Sequence, residues 1–253
     1  MRCGSQIKEA LNKKNKNEVL QLIKKVKIQN SEEAYNKYPH ELSGGQQQRI
    51  MIAIAIAKSP DLIIADEATS SLDSLIKKDI IDLLIELKKE YKISLIIVSH
   101  NLKLISNFSN DVVVMNKGEI VEKGTTLDVF KNPKNNYTKN LLSENKNLSK
   151  VFNGNNKKKE LILDVKKLKL SLSDKLILND IDFKIFKGET LGLIGQSGSG
   201  KTSISRCITG FYKKYSGEIN YKGINIKEIK RFDYSREVQL IFQDPYSALN
   251  PNI

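Results

Sequence analysis

The chain has 253 residues, with 42 Lys and Arg against 29 Asp and Glu, a net charge of +13. Its 40% hydrophobic and 28% charged content is that of a folded globular protein and excludes wholesale disorder. No apolar run approaches the ~18 residues of a membrane span, the first residues lack a signal peptide's apolar stretch, and Cys3 and Cys207 have neither disulfide nor metal-site spacing.

The expectation is an intracellular soluble chain. The positive charge is spread thinly, without an arginine-rich arm, zinc-finger spacing or aromatic RNA-binding signature. It is read as a solvated Lys-rich surface, and no nucleic-acid partner is expected.

In chain order, Glu18–Ile28 carries apolar residues at helical spacing, Ser31-Glu32-Glu33 reads as a helix start, and Pro39 stops that segment. Ser43 precedes a helix from about Gly45 to Lys58, closed by Ser59-Pro60. Leu62–Ala65 is a short apolar run of buried-strand type that ends in the acidic pair Asp66-Glu67. A long amphipathic helix, about Leu75–Glu90, leads to a second such strand, Ser94–Val98, ending at Ser99-His100. Strand, helix and strand at this spacing predict a βαβ unit with a parallel sheet. Val112–Met115 and Glu119–Glu122 then read as a hairpin turning at Asn116-Lys117-Gly118. A polar, Asn- and Lys-rich stretch from about Leu141 to Glu160 reads as a linker. After it come strands at Leu161–Leu170, Lys175–Ile185 and Leu191–Ile194, a Gly-rich loop, a helix from Lys201, and strands near Gly217–Tyr221 and Val238–Phe242.

The strongest chemical signal is Gly195-Gln196-Ser197-Gly198-Ser199-Gly200-Lys201-Thr202, which fits G-x-x-x-x-G-K-[ST] between an apolar strand and helical residues. Glycines let backbone N–H groups turn inward around phosphate oxygens, and the helix N-terminus adds a positive dipole. Lys201 can reach the β- and γ-phosphates, and the Thr202 hydroxyl can ligate Mg²⁺. Asp66 and Glu67 at a strand tip can divide labour: Asp66 holds the metal and Glu67 orients and deprotonates a water. Taken alone, such a pair is more often a solvated loop. Ser43-Gly44-Gly45 makes a second nest of amides at a helix start, or a plain N-cap. His100 and Gln243 say little by themselves.

Together these stretches resemble the ABC-transporter ATPases, with Gly195–Thr202 as Walker A, Leu42–Gln46 as signature, Leu62–Glu67 as Walker B, Ser71-Leu72-Asp73 as D-loop, His100 as switch histidine and Gln243 as Q-loop. Tyr38–Gly45, Phe242-Gln243-Asp244-Pro245 with Leu249-Asn250-Pro251, and Asn132–Leu142 are similar to the oligopeptide, dipeptide and nickel importer branch. The resemblance implies an α/β P-loop NTPase with a helical signature subdomain and an antiparallel β subdomain. It implies ATP and Mg²⁺ as cofactors, with ATP bound by Gly195 to Ser203, by Gln243 and, from a facing domain, by Ser43, Gly44 and Gly45. Mg²⁺ is expected on Thr202, Asp66 and Gln243, and catalysis on Glu67, His100 and Lys201. The implied partners are transmembrane permease subunits, a second ABC ATPase domain head-to-tail and, indirectly, a solute-binding protein, at the cytoplasmic face of the plasma membrane. Leu172 stands where the family usually stacks an aromatic ring on adenine, Ala68 where the branch has proline, and Asn135-Asn136 where it often has His-Pro.

The motif order departs from that of one family domain, because the signature half precedes the Walker A half. The simplest reading is the middle of a tandem protein. Residues 1–145 resemble the C-terminal part of one ATPase domain, 146–160 a linker, and 161–253 the N-terminal part of the next. The two parts are expected either to fold together as a permuted domain or to remain incomplete lobes. The resemblance further implies that the isolated chain hydrolyses ATP poorly. A soluble non-transport ABC ATPase and a non-catalytic tandem fragment are the rival readings.

Overall fold

A computed structural model describes residues 1–11, 15–68, 73–143, 160–244 and 248–249. Its first part is helical: α1 (Cys3–Leu11), α2 (Lys16–Lys25), α3 (Ser31–Asn36), a 3₁₀ turn at Pro39–Glu41, and α4 (Gly44–Ile56). Local chemistry sets these boundaries. The side chains of Asn15 and Asn30 accept amide hydrogen bonds at the starts of α2 and α3, as N-caps do. At α4, Ser43 and Gln46 exchange side-chain and backbone hydrogen bonds in a capping box. The helix expected over 18–28 ends at Lys25, because Lys27 is left-handed. The one expected to reach Lys58 ends at Ile56.

Next come β1 (Leu62–Asp66), α5 (Ser74–Tyr91), β2 (Ser94–Val98), α6 (Leu102–Phe108), the hairpin strands β3 (Asp111–Asn116) and β4 (Glu119–Thr125), α7 (Thr126–Lys131) and α8 (Asn136–Ser143). The second part contains β5 (Leu161–Leu172), β6 (Lys175–Phe186), β7 (Thr190–Ile194), α9 (Lys201–Ile208), β8 (Ser216–Tyr221), β9 (Ile224–Asn225), α10 (Arg231–Glu237) and β10 (Val238–Ile241). Phe242, expected in the last strand, lies just beyond it. Ser71 and Leu72, Pro245, Asn250 and Pro251, and most of the expected linker lie outside the described residues.

Six strands pair in the order β10-β1-β2-β7-β3-β4, all parallel except β4, which runs antiparallel to β3. Strands of the two parts alternate in this sheet, since β7 lies between β2 and β3 and β10 flanks β1. Neither part can complete it alone. All five residues of β1, β2 and β7 are buried, which explains their unbroken apolar runs: a parallel sheet is covered on both faces. Side chains alternate between two cores at the period of a strand. Ile63, Ala65, Leu95, Ile97, Val112 and Val114 join the core under α4 and α5. Leu62, Ile64, Ile96, Val98, Val113 and Leu193 meet Ile204, Cys207 and Ile208 of α9 and the second sheet. That second sheet, β6-β5-β8-β9, is antiparallel and built entirely from the second part.

Candidate functional site

Because β10, β1, β2 and β7 are parallel, their C-terminal ends share one edge of the sheet. At such an edge, helices start and loops can close around a ligand. Gly195 follows β7, Asp66 and Glu67 end β1, Ser99 and His100 follow β2, and Gln243 lies just past β10.

The loop from Gly195 to Gly200 needs its glycines. Gly195, Gly198 and Gly200 have φ of +151°, +78° and +101°, a region that side-chain-bearing residues rarely adopt. A Cβ on Gly200 would stand 2.7 Å from Leu178 Cδ2, and one on Gly195 would press into the Met115 carbonyl. The loop is also fastened from outside: Gly118 N–H, at the β3–β4 turn, donates to the Ser199 carbonyl at 3.1 Å. Within it, Ser199 N–H donates to the Gln196 carbonyl at 3.2 Å. Ser197 is exposed, and Ser203 lies on the first turn of α9.

Lys201, only 5% exposed, lies back along this loop. A buried ammonium needs acceptors, and Nζ donates to the Gly195 and Gln196 carbonyls, both at 2.8 Å, with Ser199 Oγ at 3.4 Å. Burial pushes its pKa below the usual lysine value, against the opposing pull of Glu67 and Asp66. Asp66 shows the converse. Burial raises its carboxyl above the ordinary aspartate range and the Glu67 charge adds to this, while the Thr202 hydrogen bond, Arg206 and Lys201 oppose it. Thr202 Oγ1 donates to Asp66 Oδ1 at 3.3 Å, so the two parts of the chain touch at their chemically active residues. The pair gives one carboxylate and one hydroxyl, hard oxygens that suit Mg²⁺ with water completing its shell. Among the described residues, no group of three or more His, Cys, Asp and Glu forms a ready-made metal cage.

Glu67 sits at a left-handed backbone position (φ +46°) and donates its amide to the Val98 carbonyl at 3.0 Å. This turns its carboxylate toward the end of β2, where His100 Nδ1 lies 3.3 Å from Oε1. The His100 side chain is 63% exposed and that of Glu67 18%, so the imidazole faces outward while the carboxylate is sheltered.

Not every expected residue joins this cluster. Gln243 reaches the same edge, since Ile241 pairs with Ala65, but it is exposed, and no hydrogen bond links it to Thr202 or Asp66 among the described residues. Ser43, Gly44 and Gly45 cap α4. Among the described residues Ser43 Oγ accepts only the Gln46 amide, at 3.4 Å, and Ser43 is exposed. A Cβ on Gly45 would stand 2.9 Å from Ile76 Cγ2 of α5, so the glycine is also needed for helix packing.

Sequence reasoning missed both outside partners of the loop, the Gly118 amide and Tyr137. Tyr137 Oη accepts the Gln196 amide at 3.1 Å. The sequence offered it only within the phrase Asn132–Leu142, and nothing local marks a tyrosine on a polar helix as a contact of a distant loop.

A profile of the ABC transporter family matches residues 3–70 and 178–253. Among curated proteins, the chain is 34% identical over 249 residues to the peptidoglycan transport ATP-binding protein YejF of Agrobacterium fabrum, covering 92% of this chain and 45% of that protein. It is 30% identical over 272 residues to the glutathione import ATP-binding protein GsiA of Escherichia coli, covering 92% of this chain and 44% of that protein. The chain thus spans somewhat less than half the length of these relatives. A solved dimer of an ATP-binding cassette, in a post-hydrolysis state with ADP and Pi, is 31% identical with a TM-score of 0.39 over 44% of this chain and 47% of that one. With more than half of its residues matched by the family profile, the chain belongs to the ABC transporter family.

Proposed function

We propose that the chain is the energy-coupling ATPase of an import-type ABC transporter, with a peptide-like solute as cargo. The observation that carries this reading is the meeting of Lys201, Thr202, Asp66, Glu67 and His100 at one sheet edge, across two distant stretches of sequence. The relatives support the import direction, through names that describe peptidoglycan transport and glutathione import.

ATP binds with its phosphates in the loop from Gly195 to Thr202, where inward amides and the start of α9 supply positive potential. Ser203 continues that turn. A phosphate oxygen displaces the Gly195 and Gln196 carbonyls as the acceptor for Lys201 Nζ. Thr202 and Asp66, with Gln243 at the same edge, would hold Mg²⁺, which neutralises phosphate charge when bound. Glu67 orients the attacking water and takes its proton on the carboxylate. With Nδ1 turned to Glu67, His100 keeps Nε2 for the transferred phosphoryl group. Ser43, Gly44 and Gly45, at the start of α4, serve the nucleotide of a second ATPase domain, in a head-to-tail pair.

The partners are permease subunits and, through them, a solute-binding protein, with the chain peripheral at the cytoplasmic face of the membrane. No helix among the described residues is long and apolar enough to cross one. A cavity of about 530 Å³ lined by Phe211, Tyr215, Ile229, Tyr234 and Phe242 is one apolar surface that such a partner could use. The motif order supports residues 1–145 and 161–253 as parts of successive domains of a tandem ATPase, joined by 146–160.

The test is ATP hydrolysis as a function of protein concentration, with ATP binding measured in parallel. Hydrolysis per chain is expected to be negligible at high dilution and to rise with concentration, and Glu67→Gln is expected to abolish it while ATP affinity is retained. Undiminished hydrolysis by Glu67→Gln, or a rate independent of concentration, refutes the reading.

A further inference from the structure

Helix α8 is polar, and of its eight residues only Thr138 is buried. Its position is imposed from outside. Glu122 on β4 accepts the amides of Lys134 and Asn135 at 2.7 and 3.1 Å. The Asn135 side chain donates to the Val121 carbonyl at 3.3 Å and accepts the Tyr137 amide at 2.8 Å. This mount carries the Tyr137 ring against the core beneath α4 and α5 and sets its hydroxyl on the Gln196 amide.

The Gln196 residue is thereby gripped on two sides. Its N–H is held by Tyr137, and its carbonyl is shared by Lys201 and the Ser199 amide. The two grips differ in kind. Lys201 is the group that must leave its carbonyls to meet a phosphate, whereas Tyr137 belongs to an element that the phosphates do not engage. Gly118 holds the loop at Ser199, but when Lys201 leaves, the Gln196 corner keeps, among the described residues, the Ser199 amide from within the loop and Tyr137 from outside it. The energetic advantage of a prearranged amide cradle lies in not reorganising then.

We propose that Tyr137 is a positioning residue for the phosphate loop: its hydroxyl fixes the Gln196 amide, and so the first corner of the loop, when Lys201 swings to a bound triphosphate. The proposal rests on the nucleotide reading of the site and gives Asn135 a purpose, as the cap that aims Tyr137.

Tyr137→Phe removes the hydroxyl and keeps the ring. Three quantities are measured: hydrogen exchange at the Gln196 amide by ¹⁵N NMR with no nucleotide added, the Kd for ATP and for ADP, and the urea midpoint. Exchange at Gln196 is expected to quicken and both Kd values to rise about three- to tenfold, the worth of one hydrogen bond, with the midpoint unchanged. Glu122→Gln, which loosens the mount of α8, should raise the same Kd values. Unaltered Gln196 exchange overturns the proposal, as does faster exchange with unaltered affinity. In Tyr137→Phe, weaker affinity that tracks a lowered urea midpoint also overturns it, because the tyrosine would then act through packing alone. If the unsubstituted chain takes up no nucleotide, the phosphate-loop reading itself fails and the positioning role falls with it, while the exchange rate still decides whether the hydrogen bond exists.

Discussion

Replacing Lys201 with methionine keeps the aliphatic stem and removes the ammonium. In this structure the ammonium makes two 2.8 Å hydrogen bonds to the Gly195 and Gln196 carbonyls, at the cost of being 5% exposed. A charged hydrogen bond contributes about 1.5–3 kcal/mol, but desolvating the charge offsets much of that. Gln196 is exposed and keeps Ser199 N–H on its carbonyl, while the carbonyl of buried Gly195 loses its Lys201 donor, a cost that offsets the gain from removing a buried charge. The folding stability of Lys201→Met should therefore lie within about 1 kcal/mol of the parent, in either direction. Nucleotide binding should behave differently. There the same ammonium meets phosphate oxygens that carry full charge, and losing about 3 kcal/mol of such contacts means roughly a hundredfold weaker ATP binding, at about 1.4 kcal/mol per tenfold. Isothermal titration with ATP in the presence of Mg²⁺, alongside urea unfolding, separates the two effects. An ATP Kd within threefold of the parent would refute the reasoning, and so would a stability loss above about 3 kcal/mol with binding intact, since Lys201 would then be a structural cation.

Two further outcomes follow from geometry. Gly188 and Gly200 both have positive φ, but a Cβ meets nothing within 4 Å at Gly188 and Leu178 Cδ2 at 2.7 Å at Gly200; Gly188→Ala should cost about 1 kcal/mol in urea unfolding and Gly200→Ala about 2–3. Burial would raise the Glu122 pKa, but the amides of Lys134 and Asn135 outweigh it and hold the carboxyl below the usual glutamate value. A depressed folded pKa stabilises above the unfolded value, and the gain is lost as pH falls through the folded one. Glu122→Gln should therefore lower stability by about 1 kcal/mol near neutral pH, and the two curves should converge in acid; an equal difference at pH 3 and pH 7 would contradict this.

Much of the site was legible because its chemistry demands particular residues in unbroken local order. Gly195–Thr202 must supply left-handed glycines, an ammonium and a hydroxyl within one turn, and Asp66-Glu67 must end a buried strand. The short apolar runs Leu62–Ala65, Leu95–Val98 and Leu191–Ile194 were equally plain, since burial on both faces leaves no polar alternation. Strand order was not legible in the residues: the place of β7 between β2 and β3 is decided by pairing between distant segments. Helix α8 and the reach of Tyr137 escaped for the same reason, because their support comes from Glu122 on another strand. Lys201 was assigned to phosphate, and only the three-dimensional loop shows the backbone carbonyls it occupies here.

The interleaving of β7 between β2 and β3 bears on how the polypeptide is made. Within this sequence β2 and β3 are synthesised well before β7, the strand that separates them in the sheet, so until β7 is made their edges lack the pairing seen here. Contacts of such long sequence separation form slowly, and unpaired strand edges invite association with other nascent chains. Where β7 of this sequence is the partner used, the interval of exposed edges closes once Thr190–Ile194 leaves the exit tunnel, and chaperone occupancy during translation should fall at that point.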